Sequence, residues 1–312
     1  MAEPVALLAL AMDAAIGWPR WLYRRIGHPV GAFAFIIGFC ERRWNDHRLS
    51  EAARRTLGVA TMIGLTTLAF GIAFVAQEAA RHMLDRWAWI AIGILAFPAL
   101  AQRSLHDHVL AVSRPLEAGR LEEARSAVGM IVGRDTAALD EAGVARAAIE
   151  SLSESFCDGI VAPAFWLLVL GLPGVWAYKA INTADSMIGH YELRWRAFGW
   201  AAARIDDVAN LIPARLSALL ICIAGRGGWR VMLRDARKHA SPNAGWPEAA
   251  MAGALGVRLA GPVSYDGALH DKRWIGEGGA DVFGGDLRRA LGIYRIACLL
   301  LWIIAGGVAW AL

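Results

Sequence analysis

Residues 57–76, LGVATMIGLTTLAFGIAFVA, run without a single charge. A helix rises 1.5 Å per residue, so about 20 apolar residues match the ~30 Å hydrocarbon core of a bilayer. Long apolar runs recur along the chain, and strict apolar/polar alternation is rare, so little β-structure is expected. The expected fold class is all-α: a polytopic helical integral membrane protein with about 4–6 membrane segments and helical cytoplasmic loops.

Composition agrees with this. Hydrophobic residues make up 57% of the chain and charged residues 19%, with a mean hydropathy of +0.40. That is too apolar for an ordinary soluble domain and too charged for a compact transporter. Residues 1–312 are read as one integral membrane domain in which 102–158 and 226–292 are the main aqueous loops. Segment 4–18 is read as an uncleaved first membrane helix, because it lacks the basic start and the cleavage motif of a signal peptide. Segment 87–101 is a weaker span that ends near Pro98. Segment 159–181 is broken at Gly171, Pro173 and Gly174, and reads either as a full span or as two half-helices. Segments 208–225 and 293–312 complete the set, and 19–56 reads as an amphipathic piece along the membrane surface.

Net charge is +4, and the basic side is almost all arginine; Lys179, Lys238 and Lys272 are the only lysines. No basic run is interleaved with aromatic residues, so nucleic acid is not an expected partner. Cys40, Cys157, Cys222 and Cys298 have no metal-binding spacing. Arginine-bearing loops fall on too many segments for clean positive-inside alternation, which is repaired if 159–181 or 208–225 does not fully cross.

A dense polar stretch runs from Arg146 to Arg215, and further candidate residues flank it. Walker A, GxGxxG, HExxH and GxSxG patterns are all missing from the sequence. Glu150, Glu154 and Asp158 recur every fourth residue and share a face if helical, with Arg146 one turn earlier. Hard carboxylates of this kind suit Mg²⁺, which takes one or two protein carboxylates together with phosphate oxygens. Arg134 is a phosphate clamp by type, and Asp135 reads equally as a helix N-cap or a metal ligand. Lys179, Asn182, Thr183, Asp185 and Ser186 follow the broken segment. Lys179 reads either as a phosphoryl-neutralising group or as a snorkelling side chain. Asn182 or Thr183 could equally cap a helix. Arg204, Asp206, Asp207, Asn210 and Arg215 form a third group, with Asp206 and Asn210 one turn apart. Acids entering a membrane segment are costly unless used. In SPNAGWPEAAMAGALGVRLAGP (241–262), Glu248 opens a helix of small residues that suits either tight packing or a flat ligand. His28, in GHPVG, reads as a loop histidine.

Taken in order, HPVG (28–31), ARSAVGMIVGRDTAALDE (124–141), AAIESLSESFCDGIVAPAFW (147–166), YKAINTADSMIGH (178–190), AARIDDVANLIPARL (202–216) and SPNAGWPEAAMAGALGVRLAGPVSYDG (241–267) resemble the adenosylcobinamide-phosphate synthase family of cobalamin biosynthesis. The chain departs from the family pattern at Ser155, where Asn is usual, and at Cys157, where a small hydroxyl residue is common. The resemblance implies ATP-dependent amide formation between adenosylcobyric acid, a corrinoid, and (R)-1-amino-2-propanol or its O-phosphate, with Mg²⁺. It implies catalytic roles for Glu150, Glu154, Asp158, Lys179 and Asp207. Substrate binding would fall to Arg134, Asn182, Arg204, Asn210, Arg215, Ser241 and Asn243, and metal binding to Asp158, Asp185, Asp206 and Asp207. The expected setting is the bacterial inner membrane, multi-pass, with the site facing the cytoplasm. Beyond the substrates and the lipid bilayer, a second copy or other cobalamin-pathway proteins are candidate partners. Two readings compete. A transporter would need an acid deep within a span. A non-enzymatic scaffold or sensor would not need so many acids and cations close together.

Overall fold

The computed structural model describes residues 4–190, 192–265, 268–270, 272–279 and 282–311. In chain order its helices are α1 (Val5–Ile16), α2 (Arg20–Ile26), α3 (Pro29–Trp44), α4 (Glu51–Leu84), α5 (Ala88–Ala96), α6 (Gln102–Glu117), α7 (Leu121–Val128), α8 (Glu141–Phe156), α9 (Ala162–Ile188), α10 (Trp200–Ala209), α11 (Leu211–Ala224), α12 (Trp229–Asp235), α13 (Gly245–Leu255) and α14 (Gly284–Ala311). Four short strands, β1 (Arg258–Ala260), β2 (Val263–Tyr265), β3 (Ala268–His270) and β4 (Trp274–Gly276), form two antiparallel pairs, β1 with β4 and β2 with β3. These small ribbons, in a loop read as merely Gly-rich, are the main addition to the expected all-helical picture.

Three stretches are long and apolar enough to cross a membrane: Glu51–Glu117, Glu141–Ile188 and Gly284–Ala311. The count rises to five if the broken pairs α1–α2 and α10–α11 each count as one span. The protein is a helical membrane protein, as expected. The first segment differs from its reading as a simple span. α1 has 12 residues, or about 18 Å of rise, and the chain turns by 103° into α2. Gly17, at φ +60°, makes that turn accessible.

The chain divides into two compact units, residues 1–101, 162–210 and 305–312 in the first and 102–161 and 211–304 in the second. In the first unit, Ser50 caps α4 by accepting the Ala53 N–H at 3.2 Å. α4 then buries a stripe of small and apolar residues, including Gly58, Met62, Leu65, Ala69 and Ala73, at helical spacing. Met62, Leu65 and Ala69 join Ile37, Ala180, Ala184 and Phe198 in one core. Gly58 is buried beneath the Phe198 carbonyl, which occupies the space a β-carbon would need. The expected break in 159–181 is real: Gly171 leaves helical geometry at φ +68°. Gln77 of α4 answers it, its Oε1 accepting the Leu172 N–H at 2.9 Å. A side chain from a neighbouring helix thus satisfies an amide that the break would strand in an apolar setting.

In the second unit, Asp140 caps α8 by accepting the Gly143 N–H at 2.7 Å. Asp135 is therefore not the cap; it lies in the preceding loop. α12 and α13 approach closely because both contact points are glycines. A β-carbon on Gly253 would lie 2.7 Å from the Gly228 Cα, and Gly228 itself sits at φ +90°. Asp235 is fully buried, paired with Arg234 at 2.6 Å and Lys238 at 2.7 Å, and accepts the Gly276 N–H at 2.9 Å. These cations hold its carboxyl well below the usual range. The arrangement fastens β4 to the end of α12.

Candidate functional site

Each unit carries a polar cluster. In the second unit, α8 presents Glu150 and Glu154 to one cavity of about 190 Å³, shared with Arg134, His239, Glu248 and Lys272. The expected Glu150/Glu154 face is thus present. Asp158 does not continue it into the cavity lining, because residues Cys157–Val161 form a π-helical turn that breaks the four-residue spacing. Arg146 lies over the Trp274 ring, 5.5 Å from its centroid.

Arg134 donates from Nη2 to Glu150 Oε2 at 2.8 Å, with 9% and 15% of the two side chains exposed. The other Glu150 oxygen accepts the Ala260 N–H at 2.8 Å. Glu150 therefore ties the 129–139 loop and β1 to α8, and it orients Arg134. Ser155, where the chain departs from the family pattern, lines the same cavity.

Glu248, by local sequence a helix opener, is 4% exposed and lines this cavity. Burial, reinforced by the charges of Glu150 and Glu154, holds its carboxyl well above the usual range. Burial first, and then Lys272, holds His239 below the ordinary histidine value, so the imidazole is biased towards neutral. The signal for Glu248 was available: the residues after it, AAMAGAL, are apolar or small all round, and a helix without a polar face is buried.

A second cluster in this unit gathers three expected substrate-binding residues. Arg215 donates to Asn243 Oδ1 at 2.6 Å and lies 4.7 Å from the centroid of the Trp246 ring. Ser241 Oγ accepts the Asn243 and Ala244 N–H groups, each at 3.2 Å, which sets the turn into α13.

The first unit holds the remaining expected residues. Asn182 and Thr183 lie inside α9 and cap nothing; Thr183 Oγ1 donates to the Lys179 carbonyl at 2.7 Å. Lys179 is part-buried and donates to Asn182 Oδ1 at 3.2 Å. On α10, Asp207 pairs with Arg204 at 2.9 Å. Asp206 Oδ2 accepts from Asn210 Nδ2 at 2.9 Å, as the one-turn spacing predicts, and Asn210 Oδ1 accepts from the Tyr178 hydroxyl at 3.0 Å. Asp185 lies near enough to feel the charges of Asp206 and Asp207. His28 caps α3, its Nδ1 accepting the Val30 N–H at 3.3 Å.

Among the described residues, no three His, Cys, Asp or Glu side chains form a ready metal cage. The donors nonetheless fit Mg²⁺ delivered with a phosphate. Asp206 is 8% exposed, and its Oδ1 has no hydrogen-bond partner. Mg²⁺ asks for only one or two such carboxylates when phosphate oxygens and water complete its shell. Asp266 and Gly267, at the end of the last family motif, lie outside the described residues.

Fold and clusters define a class: a helical integral membrane protein with buried, mixed-charge polar sites. Residues 6–294 match the family described as CobD/Cbib protein, and the chain belongs to that family. It is 50% identical over 307 residues to the cobalamin biosynthesis protein CobD of Rhodobacter capsulatus, covering 97% of this chain and 96% of the relative. It is 45% identical to a protein of the same name from a Sinorhizobium species, covering 96% of this chain and 97% of the relative. The corresponding Brucella suis protein is 50% identical over 84% of this chain and 82% of its own length. No solved structure matches.

Proposed function

We propose that this protein acts in cobalamin biosynthesis as an adenosylcobinamide-phosphate synthase, an amide-forming ligase. It joins the propionate carboxylate of adenosylcobyric acid to (R)-1-amino-2-propanol or its O-phosphate at the expense of ATP. The observation that supports this best is the second unit's cavity, where Arg134 and Lys272 meet Glu154 and Glu248, in a chain half-identical to cobalamin biosynthesis proteins. The chain is assigned to the bacterial inner membrane with its polar sites on the cytoplasmic side.

Amide formation from a free carboxylate is uphill in water, so the carboxylate must be activated, and transfer of the ATP γ-phosphoryl group to it is the direct route. The amine nitrogen then attacks the acyl carbon as the C–O bond to phosphate breaks. The ammonium gives up one proton to solvent before attack and a second on attack, which Glu154 is assigned to accept; the amide keeps the third. Arg134, oriented by Glu150, holds an anionic group of the substrates; Arg215, with Ser241 and Asn243, holds another. In the first unit, Lys179, Asn182, Arg204 and Asn210 are assigned to substrate groups. Asp185, Asp206 and Asp207 there, and Asp158 in the second unit, are the acids assigned to Mg²⁺. Bound Mg²⁺ supplies neutralisation of phosphate charge.

The test is a coupling assay on purified full-length protein with adenosylcobyric acid, Mg-ATP and either amine, read as corrinoid mass. An ATP-dependent gain matching one amide is expected, with Glu154→Ala and Asp207→Ala strongly impaired. Full activity in both variants would refute the site assignment.

A further inference from the structure

We infer that the cavity beside α8 is the subsite for the small amine and that Glu248 is a further substrate-binding residue, contacting the ammonium end while Arg134 and Lys272 face an anionic end. This rests on the ligase reading above and deepens it.

Size comes first. A cavity of about 190 Å³ falls below the roughly 300–1,000 Å³ of pockets that take drug-sized ligands. A corrinoid or a nucleotide needs more room, whereas a three-carbon amino alcohol phosphate does not. Charge comes second. A site for phosphate alone would be lined by cations, and a metal site by acids. This lining has both signs, the pattern that suits a small molecule carrying an ammonium and an anionic group together.

Glu248 supplies the third step. His239 Nε2 lies 3.7 Å from its carboxylate, and Arg134 and Lys272 act on its charge against the two carboxylates Glu150 and Glu154. Its place in the first turn of α13, after Pro247, gives a partial account, because an acid near a helix N-terminus interacts favourably with the helix dipole. The dipole does not require the side chain to be 4% exposed and to line a cavity with two more carboxylates. A carboxyl buried beside two others is costly, and an arriving ammonium would reduce that cost. The charged and titratable groups that face it are Glu150, Glu154, Arg134, Lys272 and His239. Burial and the two carboxylates hold its proton on in their presence, and a cationic ligand would reverse that balance.

The experiment is a calorimetric titration of (R)-1-amino-2-propanol O-phosphate onto detergent-purified full-length protein, followed by steady-state coupling kinetics. Free aminopropanol lacks the anion and isopropyl phosphate lacks the ammonium. Both are expected to bind at least about tenfold more weakly, the scale of one lost charge-assisted contact. Glu248→Gln should raise the KM for the amine about tenfold or more while the KM for ATP and for the corrinoid stay within about twofold. A generally destabilised site would not give that split. If Glu248→Gln does not fold, Lys272→Met is titrated in its place and should weaken the amine phosphate about tenfold but leave free aminopropanol unchanged. Isopropyl phosphate binding as tightly as the amine phosphate overturns the inference. So does an unmoved amine KM in folded Glu248→Gln. Titration needs no turnover. Wild-type protein that binds the amine phosphate but forms no amide refutes the ligase reading while supporting this subsite.

Discussion

The Arg134–Glu150 pair allows a prediction with a worked magnitude. Both side chains are largely buried, the contact is 2.8 Å, and Glu150 also accepts the Ala260 N–H. Removing one partner of a buried pair costs about 3–5 kcal/mol, because the other charge is stranded. Arg134→Met should fall at the low end, about 3 kcal/mol, because Glu150 lines a cavity that admits water and keeps one backbone donor. Glu150→Gln should cost less, about 1–2 kcal/mol, since a carboxamide oxygen can still accept a hydrogen bond. The double variant strands no charge and should cost about 2 kcal/mol, less than Arg134→Met alone. The interaction energy is then roughly 2–3 kcal/mol and sub-additive. The assay is a double-mutant cycle from denaturant titrations of the four proteins in one detergent. Costs that add to within about 0.5 kcal/mol would show that the two charges do not depend on each other, and the reasoning would fail.

Two other outcomes follow from packing and from burial. Gly58→Ala should destabilise the first unit by about 2–4 kcal/mol, because its β-carbon has no room beneath the Phe198 carbonyl; Gly64→Ala, in the same helix with nothing within 4 Å, should leave the melting temperature unchanged. The raised Glu248 value means that the folded protein holds a proton the unfolded chain gives up, so wild-type stability should fall as pH rises from about 4.5 towards neutrality; Glu248→Gln should lack that part of the slope, and identical pH profiles for the two proteins would contradict the assignment.

Much of the architecture was legible because the bilayer restricts the choices. The uncharged run 57–76 became the middle of α4, and the Gly171 break appeared where Gly and Pro interrupt 159–181. Spacing also placed Asp206 with Asn210, and Glu150 with Glu154. Periodicity failed where a local irregularity intervened. The π-helical turn at Cys157–Val161 takes Asp158 off the face of its predecessors, and nothing in ESFCDGIV announces that turn. Asp135 was an acceptable cap by type, but Asp140 lies next to the helix.

Glu248 illustrates a different limit. Local rules explain an acid after a proline at the start of a helix, so a reading by local rules stops there. What distinguishes Glu248 is where α8 and the 129–139 loop bring Glu154 and Arg134, more than ninety residues away along the chain. Cost is the better guide. An acid followed by a helix with no polar face must be buried, and burial of a carboxyl is expensive unless some partner offsets it. Glu248 has a neutral-leaning histidine at 3.7 Å and feels Arg134 and Lys272 against two carboxylates, while Asp235, fully buried, has two cations in direct contact and a backbone amide. The contrast separates a structural acid, satisfied by direct contacts within its own chain, from one that lines a cavity open to a partner of opposite charge.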